Sequence, residues 1–410
     1  MITFIDYQYK GIGGVGQLVV NTTMEMNKRG ELTKVYCSKR SYEYKCLIEL
    51  NADFIHIDSD DVNISRLRDY LCAEDVIILT HIGETFLLEE IKVLNNKLLF
   101  YCVFPDTFFT YQPFLNPIFN QRRATLDFID TLYVHKSLLI MDWPNVKAIY
   151  DRGGKEFKVI PYLPVPVTNH TGLVRKSPPS NASKITYIGR GNDEWKIFPV
   201  IKLLEDMNHG SVKTSLTIIT DSNDLFIDMI QKYIPCNIIE VEYINNLHGE
   251  KLERYLFENS FLHIAMGTSA LEGAKLGIPT ILIDYSKHKF PDYYKFRWIY
   301  QSEDYCLGGE IKDGVIPYDT GKSLKEMLDS ISFKEGYTQE SESCRKYVNN
   351  NHSIEYFVSC LEEACKQTSM TTQLYCNTKF SKNLYLYQTS FIRNVASKIK
   401  HALIKNRYDI

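Results

Sequence analysis

The segment from Phe261 to Asp284 constrains the fold more tightly than any other part of the chain. It opens on an apolar run, Phe261-Leu-His-Ile-Ala265, long enough for a buried strand, and passes through a small-residue turn, Met266-Gly267-Thr268-Ser269. Ser269 and Glu272 have the spacing of a capping box, which places a helix start at Ser269. Gly277 and Pro279 stop that helix, and Thr280–Asp284 reads as the next parallel strand. The turn would present free backbone N–H groups, from Gly267, Thr268 and Ser269, at the positive end of a helix dipole. Such a dipole is worth about 0.3–1 kcal/mol to an anion. Glu272 either closes the cap or faces a ligand whose phosphates lie on the helix start.

The same alternation extends along the chain. Ile2–Asp6 reads as a strand, Gly11-Ile-Gly-Gly-Val-Gly16 as a glycine-rich loop, Gln17–Lys28 as a helix ended by Gly30, and Thr33–Cys37 as a second strand. Apolar runs recur at Phe54–Ile57, Val76–Leu79, Leu98–Phe104, Thr131–Val134 and Lys158–Pro161. Residues 163–183, with Pro164, Pro166, Pro178 and Pro179 among polar neighbours, read as a linker. The pattern then restarts with strand Lys184–Ile188, helix Phe198–Asn208, strand Ser215–Thr220, helix Asp224–Tyr233, strand Asn237–Val241 and helix Glu250–Glu258. Strands separated by helical lengths mean parallel sheets covered by helices. The expected class is α/β, with two Rossmann-like domains facing each other across a cleft at the carboxyl ends of their strands. Expected boundaries are 1–165 for the first domain, 166–183 for the linker, 184–368 for the second domain and 369–410 for an extension.

Composition narrows the classes of function. The 410 residues carry a formal net charge of −3, so no general basic surplus draws the chain to nucleic acid. The start, MITFIDYQYKG, lacks the basic and apolar order of a secretory signal, and no apolar run nears the roughly 20 residues that cross a bilayer. The ten cysteines are scattered without a Cys-x-x-Cys pair, which reads as free thiols in a reducing cytosol, with neither disulfides nor a zinc site. Asp58-Ser-Asp60 has the form of a metal-binding Asp-x-Asp but reads here as a solvated acidic loop, so no metal is expected.

Several stretches are candidates for chemistry. Gly11-x-Gly13-x-x-Gly16 matches a dinucleotide fingerprint in letters, yet Tyr7–Lys10 separates it from the strand end, and Ser38-Lys39-Arg40 stands where an acidic residue belongs. Lys39 and Arg40 would suit a 2′-phosphate, which keeps an NADP-dependent enzyme as an alternative. Otherwise the loop approaches another anion or a sugar through Gly13 and Gly14, or its glycines only permit a tight turn. In the second half, Gly189-Arg190 and Lys196 bracket the first strand-to-helix connection. Two cations there, opposite the Ser269 helix start, would neutralise a diphosphate, at about 1.5–3 kcal/mol per charge-assisted hydrogen bond. Alternatively both are solvated, with Lys196 pairing to Asp193 or Glu194. His81 and Asp106 each follow an apolar run and fall at strand ends, either as functional groups on a cleft rim or as turn and cap residues. No Ser/His/Asp or Cys/His arrangement comes with a nucleophile-elbow sequence.

Together these residues resemble the retaining nucleotide-sugar glycosyltransferases of GT-B fold, the family 4-like, group 1 enzymes of bacterial polysaccharide synthesis. Gly13-Gly14-Val-Gly-Gln17 resembles their first glycine loop, and Ile188-Gly-Arg190 with Lys196 their diphosphate clamp. Gly267-Thr-Ser-Ala-Leu-Glu272-Gly-Ala-x-x-Gly277-Ile-Pro279 resembles their donor-binding helix start. The resemblance implies a hexosyltransferase without cofactor or metal, whose co-substrate is a nucleoside-diphosphate sugar. Its acceptor would be a saccharide or lipid-linked saccharide in surface polysaccharide or lipopolysaccharide synthesis. Donor contacts are implied for Gly13, Gly14, Gly189, Gly267, Thr268, Ser269 and Glu272, the last on the nucleotide's ribose. Arg190 and Lys196 would act on the leaving diphosphate, with Asp106 and His81 as catalytic candidates on the acceptor side. The family often carries another glutamate ahead of this one, and the matching position, 264, is isoleucine. A nucleotide-sugar epimerase of the same fold and a binding protein without catalysis therefore stay open.

The tail carries one further pattern. Phe391, Ile392, Val395, Ile399, Ala402 and Leu403 form an apolar helical stripe, with Arg393, Lys398, Lys400, Lys405 and Arg407 largely off it. A basic amphipathic helix over 389–407 either lies on an anionic membrane surface or packs back on the first domain. The first outcome suits a cytoplasmic enzyme peripheral to the inner face of the plasma membrane.

Overall fold

The computed structural model describes residues 1–5, 14–59, 67–110, 120–178, 184–189, 194–209, 215–221, 224–231, 240–316 and 320–389. The chain divides into two units, Met1–Pro164 together with the chain from Phe357 onward, and Val165–Tyr356.

The first unit holds β1 (Ile2–Ile5), β2 (Thr33–Cys37), β3 (Phe54–Asp58), β4 (Val76–Leu79), β5 (Lys97–Cys102) and β6 (Leu138–Ile140). They form one six-stranded sheet in the order β3-β2-β1-β4-β5-β6, with every pair parallel. Every residue of β1, β2 and β4 is buried, as strands covered on both faces require. The strand order reverses between β1 and β4, and ligands of such sheets bind outside the carboxyl ends at that reversal.

Two expected strands of this unit are absent. Thr131–Val134 is the last turn of the helix Gln121–Val134, in which Ala124, Phe128 and Leu132 recur at helical spacing and are buried. A short apolar run does not by itself separate strand from helix, and here the periodicity upstream decides. Lys158–Pro161 is likewise irregular, and the sheet instead ends on β6, beside which Tyr162 makes an isolated bridge to Ile140. The helices Thr372–Asn377 and Lys379–Thr389 add Tyr375, Cys376, Phe380 and Leu384 to the first unit's core, where Phe380 stacks on Phe128 at 4.5 Å. The unit boundary therefore falls at Phe357, inside the helix Ile354–Gln367, and not at the expected 368.

The second unit holds β7 (Lys184–Ile188), β8 (Ser215–Thr220), β9 (Val241–Asn245), β10 (Ser260–Ala265), β11 (Thr280–Leu282) and β12 (Arg297–Trp298). Its order is β12-β11-β10-β7-β8-β9, parallel apart from β12 on β11, with the reversal between β10 and β7. β9 begins where the expected strand Asn237–Val241 was to end. Residues 165–178 are not a free linker. Val167 donates its amide to the His352 carbonyl at 2.7 Å, and Arg175 is buried, its guanidinium 5.3 Å over the Phe257 ring. Proline keeps this segment out of helix and ladder but does not prevent its burial.

Candidate functional site

At the reversal of the second sheet, β7 and β10 run side by side with Ile188 opposite Ala265. The loops leaving them are those of Gly189-Arg190 and Met266-Gly267-Thr268, so two motifs distant in sequence start from neighbouring strand ends. Arg190 and Gly13 lie outside the described residues. Gly189 donates its amide to the Ile219 carbonyl at 3.1 Å, and a Cβ there would fall 2.8 Å from the Tyr187 ring, which explains the glycine. Lys196 closes the short turn Glu194–Lys196 and is 7% exposed, with Nζ 4.9 Å from the Trp195 ring centroid. A cation stacked on indole in this way is an electrostatically favourable pair.

The helix after β10 is Thr268–Lys275, with its N-cap two residues ahead of the Ser269 that the capping box implied. Gly267 is the N-cap, with φ +60° and ψ −147°, backbone that L side chains rarely adopt, and no side chain caps the helix. The Gly267 amide donates to the Leu307 carbonyl at 2.6 Å and is not open to an anion. The amides of Thr268 and Ser269 head the helix, where N–H groups lack acceptors within the helix. The expected capping box is corrected as well. Glu272 meets Lys275 at 2.6 Å instead, and an ion pair with a buried ammonium outweighs a cap bond worth about 1 kcal/mol.

Below this turn lie three buried groups that the sequence reading missed. His263, in β10, is fully buried, with Nε2 2.9 Å from the Ser269 carbonyl oxygen and Nδ1 3.1 Å from Thr186 Oγ1. Donation to the carbonyl assigns the proton to Nε2 and leaves Nδ1 to accept from the hydroxyl. Burial pushes this imidazole down to about 4, against the opposing pull of its hydrogen bonds. A Cβ on Gly273 would sit 2.5 Å from the ring, so a glycine in mid-helix was the one local signal of it. Glu253 and Lys275 form the other buried pair, at 2.8 Å. Ile264 is also fully buried, between Tyr187 of β7 and Ile281 of β11. A carboxylate at that position would lie inside the sheet.

In the first unit, His81 follows β4 at the sheet reversal and caps the short turn Ile82–Glu84. Its Nδ1 accepts from the Gly83 amide at 2.9 Å, so the neutral ring carries its proton at Nε2 and offers a donor there, not a base. Burial lowers its pKa, favouring that neutral form. Asp106 follows β5, is exposed, and pairs with Arg152, whose guanidinium lies 5.6 Å over the Phe109 ring. Gly14 begins the helix Gly14–Lys28 and is exposed. Gly16 lies inside that helix, where a Cβ would fall 3.0 Å from the Tyr42 ring, so it serves helix packing. Lys39 pairs with Asp58 at 3.1 Å, which offsets one of the cations suited to a 2′-phosphate; Asp60 lies outside the described residues. Among the described residues no three His, Cys, Asp or Glu side chains gather to hold a metal, and no helix is long and apolar enough to cross a membrane. The tail's amphipathic stretch falls beyond the described residues from 390 onward.

No family model matches the chain, and no curated protein matches it. Solved structures do. A glycosyltransferase from Rickettsia africae, 14% identical, is matched over 89% of this chain and 97% of its own, with a TM-score of 0.59. HepE of Anabaena, solved with UDP and glucose, is 9% identical over 89% of this chain and 99% of its own, with a TM-score of 0.55. The lipopolysaccharide outer core galactosyltransferase WaaB is 13% identical over 88% of this chain and 98% of its own, with a TM-score of 0.50. The fold is the GT-B fold of glycosyltransferases. Each GT-B unit here has the same strand order, and the candidate site lies at the reversal of the second. Identities this low carry the fold and no residue-level correspondence.

Proposed function

We propose that this chain is a retaining glycosyltransferase that moves a hexose from a nucleoside-diphosphate sugar to a saccharide or lipid-linked saccharide. The observation that carries the reading is the start of the Gly189–Lys196 loop and of the Thr268–Lys275 helix from adjacent strand ends. Cleavage of the sugar–phosphate bond leaves a nucleoside diphosphate with added negative charge. The amides of Thr268 and Ser269 and the buried Lys196 are donors set in place beforehand that stabilise that charge, and Arg190, by its place in the sequence, would add a second cation. Glu272 accepts hydrogen bonds from the ribose hydroxyls. His81, donating from Nε2, holds an oxygen of the acceptor. UDP in the HepE structure supports testing a uridine nucleotide first, and WaaB supports a lipopolysaccharide-type acceptor. The basic stretch 389–407 supports a peripheral site at an anionic membrane, checked by flotation of the full chain with anionic and neutral vesicles.

The experiment is nucleotide release from a panel of UDP-, GDP- and ADP-sugars, with and without saccharide acceptors. Transfer should fall at least tenfold, or about 1.4 kcal/mol of barrier, in Arg190→Ala and in Lys196→Ala. Near-normal rates in both purified variants would sink the diphosphate assignment. A second reading, a nucleotide-sugar binding protein without transfer, is favoured by the burial of Ile264 where the family's first glutamate would fall. It predicts nucleotide binding with no turnover for any acceptor, whereas an epimerase would interconvert donor sugars with none added.

A further inference from the structure

We propose that Lys275, held in turn by buried Glu253, is a positioning residue that presents one charged oxygen of Glu272 to the ribose diol of the nucleotide. The inference rests on the reading of the Thr268–Lys275 helix start as a nucleoside-diphosphate site. Lys275 lies one turn beyond Glu272 on that helix, with its side chain 4% exposed. Its Nζ reaches Glu272 Oε2 at 2.6 Å, Glu253 Oε1 at 2.8 Å and the Thr168 carbonyl oxygen at 2.8 Å. Three acceptors match the three donors of an ammonium group.

Glu253 is fully buried and anchored on its own account. Its Oε1 also accepts from the His170 amide at 3.1 Å, and its Oε2 accepts from the Thr171 amide at 2.8 Å. Burial pushes its carboxyl up, but Lys275 and the two amides outweigh that and hold it below the usual range. One carboxylate is enough to balance Lys275, and Glu253 is that carboxylate. Glu272 then comes to the same ammonium as a second anion and leaves the trio with a net negative charge. Of the four carboxylate oxygens, Glu272 Oε1 alone has no protein partner among the described residues, and its side chain is 25% exposed. A surplus negative charge with one open oxygen calls for a hydroxyl donor. Tethering the other oxygen means that little side-chain freedom is lost when the hydroxyl arrives. A helix residue without this tether would have to order its carboxylate in each binding event.

Calorimetric titration of the full chain with UDP, GDP and ADP, and with their 2′-deoxy counterparts, tests this. The ribonucleotide that binds should exceed its 2′-deoxy form by about tenfold or more, as for a lost hydrogen bond to a charged group. In Lys275→Met combined with Glu253→Gln, which leaves no lone buried charge, that ratio should fall to within about threefold, while affinity for the 2′-deoxy form stays near that of the wild type. Adding Glu272→Gln to that variant should change the ratio little further, because the residues act as one unit. Lys275→Gln, whose amide can still donate to Glu253, is read in the same way if the double variant does not fold. A folded variant that keeps the wild-type ratio overturns the proposal, as does a wild type indifferent to the 2′-hydroxyl. A wild type that binds none of the ribonucleotides overturns the nucleotide reading itself.

Discussion

The two sheets share a strand order, and among the described residues the helix start after β10 is braced from beneath by buried polar groups, whereas Asp106 after β5 of the first sheet is held by an exposed ion pair. After β10, His263 fixes the Ser269 carbonyl, Leu307 takes the Gly267 amide, and Glu253 and Lys275 stand behind Glu272. The loop that supplies Leu307 carries Asp304 at φ +49° and Tyr305 at φ +59°, left-handed backbone that costs about 1–3 kcal/mol per residue. It is secured by buried Asp284, which accepts the Gly309 amide at 2.7 Å and pairs with Arg297 at 3.2 Å. In the first sheet, His81 is held by the Gly83 amide, and Asp106 by an exposed guanidinium. Fixed dipoles stabilise developing charge without reorganising. Under the proposed reaction that charge develops on the diphosphate, and the rigid scaffolding surrounds the group assigned to it.

The contrast can be broken, and the largest expected effect is at Lys275. Lys275→Met alone leaves Glu253 as a buried carboxylate without its cation, and should cost about 3–5 kcal/mol in a urea unfolding series. A cost below about 1 kcal/mol would remove the buried scaffold from the account. Next comes pH. His263 and His352, both in the second unit, are pushed down to about 4 by burial, so the unfolded chain takes up a proton before the folded one does. Their contribution is full above the ordinary histidine value and is lost as pH falls from about 6.5 toward 4, by about 3 kcal/mol for His263. Asp142, in the first unit, is raised to about 6 by burial and carries the opposite sign. Its contribution is full below the ordinary carboxylate value and is lost as pH rises through 6. Hydrogen exchange of the full chain between pH 7 and pH 5 should show β7 and β10 losing protection on acidification. Replacing His263 with Gln should flatten that loss, and an unchanged slope would assign the acid sensitivity elsewhere.

Smaller effects sharpen the same contrast. Gly267→Ala meets no atom within 4 Å, so its cost of about 1–3 kcal/mol should come from backbone conformation alone, with nucleotide affinity falling alongside. Gly14→Ala, at the helix start of the first unit, also meets nothing within 4 Å and is not at positive φ, so its stability should stay within about 0.5 kcal/mol of the wild type. Equal costs at the two glycines, compared by thermal melting, would erase the distinction between the two turns. Asp106→Asn should likewise cost little, at or below about 1 kcal/mol, because its ion pair with Arg152 is exposed to solvent.

The architecture was legible because α/β periodicity is local. Val76–Leu79, Ser215–Thr220 and the Gly277 stop of the helix after β10 announce themselves in a few residues, and the structure has them there. The candidate helix start was legible for the same reason, as a small-residue turn between two apolar runs. Thr131–Val134 misled because a run of β-branched and aromatic residues at a helix end has the letters of a strand. Arg175 and Val167 misled because proline-rich composition reports on backbone conformation and says nothing of burial.

What the sequence by itself determined is most of the sheet strands, their mainly parallel sense, and the placement of Gly267 between a strand and the helix that carries Glu272. Only the tertiary structure decided what those residues do there. Glu272 has the spacing to cap its helix, yet it turns to Lys275, whose buried ammonium is held in place by Glu253 from a different helix. His263 reads as one polar letter in an apolar run, and its role exists only because Thr186 and Ser269 arrive on either side of it. Phe380 and Leu384 join the first core from the far end of the chain. Spacing along a chain limits which partners are near. Burial sets what an unpaired polar group costs, and which partner is taken depends on that cost, which no local pattern contains.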